Sequence, residues 1–166
     1  MCCFQLEEPA HHPSIETLLD RVFGADRGAK PSYALRAGVQ PIADLARVAI
    51  DGGKLVGTIR YWPIRVGQAP ALLLGPLGVD PMRRGEGIGR RLVRDSLTVA
   101  QALGWNAVFL VGDLPYYAPL GFEPAGAFAS MKRQDPTRLL GQSVGDARSL
   151  PEGVLQPAPM VQPAVG

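Results

Sequence analysis

The chain has 166 residues, 46% hydrophobic and 19% charged, which fits one globular domain with its own core. Its formal net charge of +2 is too small to predict a nucleic-acid partner. It contains no apolar run of about 18 residues that could span a bilayer, and Glu7, Glu8 and Pro9 interrupt the N-terminus before a signal-peptide core forms. We therefore expect a cytoplasmic protein with no membrane partner.

Cysteine and histidine do not predict a metal site or a disulfide framework. Cys2 and Cys3 are adjacent, and so are His11 and His12, without cysteine or carboxylate partners at metal-binding spacing. We expect no bound metal, a loose pair of terminal thiols, and histidines that lead into the first helix.

The first half of the chain predicts a helix followed by a hairpin. From Pro13 onward, apolar residues repeat with the spacing of one helix face, and Gly24 suits the end of the helix. The apolar residues are Ile15, Leu18, Leu19, Val22 and Phe23. A short helix near Tyr33–Ala37 is also expected. Strands are expected at Leu45–Ile50 and Lys54–Val66, because Asp51-Gly52-Gly53 between them is typical of a tight turn.

The centre of the chain predicts a broken strand and a second helix. Ala71–Val79 is strand-like, but Pro76 cannot donate a ladder hydrogen bond, so pairing should bulge or break at Gly75-Pro76. An apolar stripe predicts a helix over Gly87–Leu103, which Gly104 ends. The nearly continuous apolar run Ala107–Val111 predicts a strand covered on both faces.

The last third predicts a short helix, one strand and a tail. The helix lies around Pro115–Leu120 and the strand near Phe122–Met131. Beyond Pro151 the sequence is rich in proline, alanine and valine without periodicity, which indicates a weakly ordered tail. The order of elements predicts a single mixed α/β or α+β domain over residues 1–150, with a tail over 151–166.

A glycine-rich turn between the third strand and the second helix carries the chemical signal. Gly85, Gly87 and Gly89 let a ligand approach the backbone, and the first amides of a helix attract anions. Arginines surround them, at positions 83, 84, 90, 91 and 94. The pattern predicts a pyrophosphate site, although a purely structural turn with solvated arginines remains an alternative.

Two common phosphate sites are disfavoured. The chain has no GxxxxGK[ST] motif of a P-loop. A dinucleotide fold requires the turn to follow its strand almost directly with GxGxxG spacing, whereas here residues 80–84 intervene and position 90 is arginine.

The segment Arg84-Gly85-Glu86-Gly87-Ile88-Gly89 matches the R/Q-x-x-G-x-G/A signature of the GNAT acetyltransferase superfamily. Residues 110–122, LVGDLPYYAPLGF, resemble its YhbS-like branch, as do residues 56–63 and 74–77. The similarity covers roughly residues 4–142 and departs from the branch from about Ala127.

The resemblance implies a single GNAT-like domain with a central mixed, mostly antiparallel sheet that is splayed in the middle and flanked by helices. It also implies acetyl-coenzyme A as co-substrate. The strand residues Leu77, Gly78 and Val79 would pair with the pantetheine arm. The pyrophosphate would be held by Arg84, Gly85, Glu86, Gly87, Ile88, Gly89 and Arg90. In this interpretation the break at Gly75-Pro76 opens the slot for the arm, the alternative being a bulge without a ligand.

The implied activity is transfer of an acetyl group to a primary amine of a small molecule or peptide. Tyr117 would be the general acid that protonates the departing thiolate, unless it only packs against or hydrogen-bonds the cofactor. A backbone amide near Val79 would stabilise the developing oxyanion. Asp113 is either a base acting through water or, as we favour, a helix N-cap, and Glu123 is a weaker candidate base.

Two further classes of protein also fit the sequence. One is a non-catalytic or regulatory acyl-coenzyme A binder, and the other is a module that binds a different phosphate compound. The acceptor is not specified, and homodimers, which are frequent in the superfamily, are left open.

Overall fold

The computed structural model describes residues 1–158. Within them the chain forms nine strands and three α-helices. The helices are α1 (His12–Phe23), α2 (Ile88–Ala102) and α3 (Leu114–Tyr117). The strands are β1 (Cys2–Leu6), β2 (Arg47–Asp51), β3 (Lys54–Val66), β4 (Ala69–Val79), β5 (Ala107–Val111), β6 (Glu123–Pro124), β7 (Ala129–Ser130), β8 (Leu139–Ser143) and β9 (Gly153–Pro157).

The strands build one central sheet in the order β1-β2-β3-β4-β5-β8-β6. Along this path every neighbouring pair is antiparallel except β4 with β5, which is parallel. The long strand β3 gives one edge to β4, and its other edge to β2 and then to β9. The expectation of a mixed, mostly antiparallel sheet in a single domain is therefore confirmed.

The sheet separates in its middle, between β4 and β5. β4 pairs with β3 from Ala69 to Val79, but it pairs with β5 only at Leu72 and Leu73. A register shift in β3, between Ile59 and Tyr61, lies opposite the Gly75-Pro76 segment, whose peptide bond is cis. The splayed sheet that the sequence predicts is thus present, and the edge of β4 that faces β5 has no strand partner beyond Leu73.

Helices α1 and α2 cover opposite faces of the sheet. Successive side chains of a strand point to opposite faces. In β2, Val48 packs with Ile15 of α1, whereas its neighbour Ala49 belongs to the cluster that contains Ile88 and Leu92 of α2. Both faces of the central strands are therefore buried. None of the helices in residues 1–158 is long and apolar enough to cross a lipid bilayer.

The boundaries of the remaining predicted elements differ only slightly from those observed. The hairpin strands expected at Leu45–Ile50 and Lys54–Val66 are β2 and β3, and the segment near Tyr33–Ala37 is a 3₁₀ helix over Pro31–Arg36. The helix expected around Pro115–Leu120 is α3 followed by a 3₁₀ turn over Ala118–Leu120.

Two expectations for the fold are corrected, and two of the observed strands were not expected. The single strand expected near Phe122–Met131 is two short strands, β6 and β7, separated by a turn. Strands β1 and β8 were not predicted. The weakly ordered tail expected from Pro151 instead contains β9, which pairs with β3 and β7, so the domain extends past residue 150. The rest of that expected tail, residues 159–166, lies outside the described residues.

Candidate active site

The separation of β4 from β5 opens a cleft of about 1030 Å³. One wall is β4 from Leu73 onward, and the other is the end of β5 together with α3. The start of α2 closes one end, and the segment over residues 30–36 contributes to the lining on another side.

Asp80 fixes the path of the chain as it leaves β4. Its buried carboxylate accepts a hydrogen bond from the Met82 amide at 3.0 Å and forms ion pairs with Lys54 at 3.2 Å and Arg21 at 3.3 Å. The Met82 hydrogen bond and the Lys54 charge lower the pKa of Asp80. Sequence reasoning missed this residue, although an aspartate directly before a proline is a recognisable N-cap signal.

The glycines of the turn form an open cradle at the start of α2. Gly85 and Gly87 both have φ of 84°, in the left-handed region that favours glycine. A Cβ added at either position would meet no atom within 4 Å, so the space above the backbone is open. Gly87 is the N-cap of α2 and leaves the first amides of the helix available to an anion.

Gly89 has a different role from the other two glycines. A Cβ at Gly89 would overlap the hydroxyl of Tyr116 and would lie 3.3 Å from the Val79 side chain. The glycine therefore allows α3 to approach the first turn of α2. Tyr116 lines the cleft at this point and remains 37% exposed.

Eight of the ten cofactor-binding residues expected from the sequence line the cleft: Leu77, Val79, Arg84, Gly85, Gly87, Ile88, Gly89 and Arg90. Gly78 and Glu86 do not. The carboxylate of Glu86 is held by Arg83 at 2.8 Å, and Arg83 also binds Asp51 at 2.8 Å. Arg83 lines the cleft too, so the cradle end carries three arginines.

The unpaired edge of β4 directs selected amides into the cleft. The Asp80 amide donates to Val56 of β3 at 2.8 Å. Since successive amides of a strand point to opposite sides, that of Gly78 also faces β3, and those of Leu77 and Val79 face the gap. A side chain at Gly78 would point toward α1, since a Cβ there would lie 3.0 Å from Leu19. The expected contribution of Gly78 to the cleft is therefore not supported by its position.

Tyr117 lies in the cleft in a largely buried setting. Its ring makes edge contacts with Tyr116 at 4.8 Å and with Phe122 at 5.7 Å between centroids. A Cβ at Gly112 would lie 2.7 Å from the Tyr117 ring, so glycine is needed for the ring to reach the end of β5. Burial, followed by the nearby Tyr116 and Asp113, raises the pKa of Tyr117 above its ordinary value. The phenol therefore keeps its proton at neutral pH.

The two candidate bases differ in position, since Asp113 lines the cleft and Glu123 does not. Asp113 occupies the N-cap position of α3, but its side chain makes no capping hydrogen bond; it is exposed and pairs with Arg138 at 3.3 Å. Its backbone carbonyl accepts from the amides of Tyr116 and Tyr117 instead, which corrects the expected side-chain cap. Glu123 is exposed on β6 and does not line the cleft.

No group of three or more His, Cys, Asp or Glu that could hold a metal ion occurs in the part of the chain that the structure describes. The cleft itself is lined by basic side chains and one carboxylate, Asp113. That donor set favours an anionic ligand over a metal cation.

Comparison with known proteins agrees with this geometry. The sequence model of the Acetyltransferase (GNAT) family matches residues 12–122. The uncharacterised N-acetyltransferase YhbS of Escherichia coli K12 is 35% identical over 124 residues, which cover 73% of each chain.

Two solved structures are similar over almost the whole chain. The crystal structure of Escherichia coli YhbS in complex with CoA has a TM-score of 0.80 at 27% identity, covering 95% of this chain and 89% of the other. A GNAT family acetyltransferase from Brucella melitensis, in complex with acetyl-CoA, has a TM-score of 0.71 at 26% identity, covering 94% and 95%. The chain therefore belongs to the GNAT acetyltransferase family and is an acyltransferase, as its glycine motif predicts.

Proposed function

We propose that this protein moves an acetyl group from acetyl-coenzyme A to a primary amine of a small molecule or peptide. The observation that carries the proposal is the combination, in one cleft, of an open glycine cradle and an unpaired strand edge. A cradle alone would suit many phosphate compounds. A phosphate site that continues into a strand edge suits a ligand with a pyrophosphate at one end and amide groups along its length.

The residues present fit coenzyme A. The α2 amides around Gly87 and the side chains of Arg84 and Arg90 would hold the pyrophosphate. The amides of Leu77 and Val79, which face the gap, would bind the amide-bearing arm as a neighbouring strand would. Acetyl-coenzyme A supplies the activated acetyl thioester when it is bound.

The transfer forms one bond and breaks another. The amine nitrogen bonds to the acetyl carbon, the carbon–sulfur bond breaks, and the sulfur leaves with the electron pair. The amine loses one proton and the sulfur gains one, so no oxidant or metal is needed. One of the β4 amides that face the gap would stabilise the negative charge that develops on the acetyl oxygen.

Tyr117 is the proposed proton donor to the sulfur. It lies in the cleft, and its raised pKa keeps the phenol protonated over the working pH range. The phenol is replenished from solvent or from the proton that the amine releases. Asp113 is held by Arg138, so we assign no dedicated base, and the amine would lose its proton through water.

Calorimetric titration with acetyl-coenzyme A, combined with detection of free thiol on addition of a panel of amines, tests the function. We expect saturable binding and amine-dependent thiol release. Desulfo-coenzyme A and ATP serve as controls for the arm and for phosphate alone.

Two results would contradict the proposal. Equal affinity for ATP and acetyl-coenzyme A would indicate a general phosphate module. Tight binding of acetyl-coenzyme A without thiol release for any amine, in a protein whose Tyr117 is intact, would favour the non-catalytic acyl-coenzyme A binder.

A further inference from the structure

Arg36 lies at the point where β4 breaks away from β5. It ends the 3₁₀ segment Pro31–Arg36, and its guanidinium stacks over the ring of Tyr33 at 4.0 Å, with the ring of Trp62 at 5.3 Å. The indole of Trp62 donates to the Gly75 carbonyl at 2.6 Å. Two aromatic rings therefore hold the guanidinium against the Gly75 backbone, inside the cleft.

Gly75 is shaped to accept this arginine. Its φ is 145°, and a Cβ at this position would lie 3.2 Å from Nη2 of Arg36. A side chain there would press on the guanidinium. The close approach therefore depends on glycine at the strand break.

Arg36 has no acidic partner within residues 1–158. Arg60 and Arg27, whose side chains are both 13% exposed, do have carboxylate partners: Arg60 binds Glu7, and Arg27 binds Glu16 and Asp20. The Nε atom of Arg36 is buried and has no hydrogen-bond partner among the described residues. Burial lowers the pKa of Arg36 from its ordinary value, which reflects the cost of holding this charge without a counter-ion.

The other charged residues that line the cleft are basic, with the exception of Asp113. Lys30 and Arg133 line the cleft and form no ion pair in the described range. The carboxylate of Asp113 is already engaged with Arg138. A ligand group that approaches Arg36 therefore meets uncompensated positive charge, which favours an anion.

This charge lies at the opposite end of the unpaired β4 edge from the phosphate cradle. The proposed function places the pyrophosphate at Arg84–Arg90, after the C-terminal end of β4, and the arm along Leu77–Val79. The reacting thioester then lies toward Gly75, which Arg36 contacts. Arg36 is therefore on the side of the acceptor and is not needed for the phosphates.

Resting on the proposed function, we infer that Arg36 binds a carboxylate of the acceptor, so that the acceptor is a small amine of the amino-acid type. The guanidinium lies over the Tyr33 ring with the Trp62 ring near it, and a planar guanidinium can bind a planar carboxylate in bidentate fashion. Such a contact, made by the terminal nitrogens, would supply the counter-charge that Arg36 lacks and would orient the amine toward the strand break. Arg36 is thus a specificity-determining residue that does not take part in the proton transfers.

The test measures thiol release from acetyl-coenzyme A with matched amines. The panel contains the common amino acids, β-alanine and γ-aminobutyrate, each beside its carboxamide and its decarboxylated amine. We expect the wild type to prefer acids over carboxamides. Arg36→Gln should raise KM for the acid about ten- to a hundredfold, the loss expected for one charged contact, with little change for the carboxamide.

Two variants separate recognition from folding. Arg36→Lys keeps the charge without the fork and should recover part of the preference. Arg65→Gln removes the same charge from an exposed position of β3 outside the cleft and should behave as wild type. If Arg36 only supported its segment, Arg36→Gln would lower stability and leave the ratio of acid to carboxamide unchanged.

The outcomes distinguish this inference from the proposed function. A wild type that acetylates carboxamides or decarboxylated amines as well as acids would keep the transferase and overturn the carboxylate site. A wild type that acetylates no member of the panel would overturn the acceptor class. Binding of acetyl-coenzyme A in the same samples then decides whether the proposed function fails with it.

Discussion

Two adjacent tyrosines of α3 have different surroundings and, we expect, different roles. Tyr117 is packed against Gly112 and Phe122 at the end of β5, and burial is the main cause of its raised pKa. Tyr116 is more exposed and lies with its hydroxyl over Gly89. The first surrounding suits a proton donor held in one orientation, and the second suits a contact between two helices.

Replacing Tyr117 with phenylalanine should separate turnover from binding. The ring contacts would remain, so the affinity for acetyl-coenzyme A should change little, while kcat should fall about 10²- to 10³-fold because the proton donor is lost. Steady-state kinetics and calorimetry measure the two effects. Tyr116→Phe is the matched control and should keep most of kcat. A Tyr117→Phe variant with wild-type kcat would remove Tyr117 from the mechanism.

The pH profile gives a second check on the same residue. A free phenol loses its proton near pH 10. Because the pKa of Tyr117 is raised, its protonated form persists as the pH increases through 10, so loss of the donor should not lower kcat there. A decrease in kcat that Tyr117→Phe abolishes, with a midpoint below 10, would contradict this assignment.

At the scale of the elements, the start of α2 and the free edge of β4 together determine what the cleft can hold. Gly87→Glu would place a negative charge in the anion cradle, and we expect it to weaken acetyl-coenzyme A binding at least about tenfold. Gly53→Glu is a close control, because Gly53 also has positive φ and open space but lies in the β2–β3 turn. Calorimetry on both variants, with folding checked by circular dichroism, compares them. Equal affinities in the two folded variants would exclude the cradle.

Elements with a local signal were predictable from the sequence, and β8 shows why others were not. β8 contains Gly141, which by sequence alone indicates a break in a strand. In the structure a Cβ at Gly141 would lie 2.9 Å from Leu150 and 3.3 Å from Phe109, so the glycine is there for close packing. Packing between residues so distant in the chain leaves no local pattern.

The residues of the candidate site also differ in whether a local sequence pattern marks them. The glycine cradle was predictable because its residues are consecutive and their spacing is itself the signal. Arg36 was not, since it reaches the cleft only through the folding of residues 31–36 against Trp62 of β3. Asp113 could not be settled from its position before Pro115, because the ion pair with Arg138 competes with capping.

At the scale of the whole molecule, β9 joins the C-terminal part of the chain to its centre. β9 completes the second half of the β3 edge and pairs with β7. Leu155 of β9 is 3% exposed and belongs to the same apolar cluster as Leu35, Ile64 and Val66. The strand therefore supports the segment that carries Arg36.

Leu155→Ala should lower the free energy of unfolding by about 2–4 kcal/mol, through lost burial and the cavity left behind. Val154, its neighbour on the same strand, is 50% exposed, and Val154→Ala should change stability by less than about 0.5 kcal/mol. Urea unfolding at neutral pH measures both. Similar small effects for the two variants would mean that β9 adds nothing to the stability of the domain.

The splayed sheet also bears on the risk of aggregation that an exposed strand edge brings. A strand of a second polypeptide can pair with an unpaired strand edge through backbone hydrogen bonds, and exposed edges are a common cause of aggregation. Here the free edge of β4 lies inside a narrow cleft, between the first turn of α2 and the tyrosines of α3. The edge is therefore covered on the side where a strand of another chain would have to pair. We therefore expect this edge to be less prone to aggregation than an edge at the rim of the sheet.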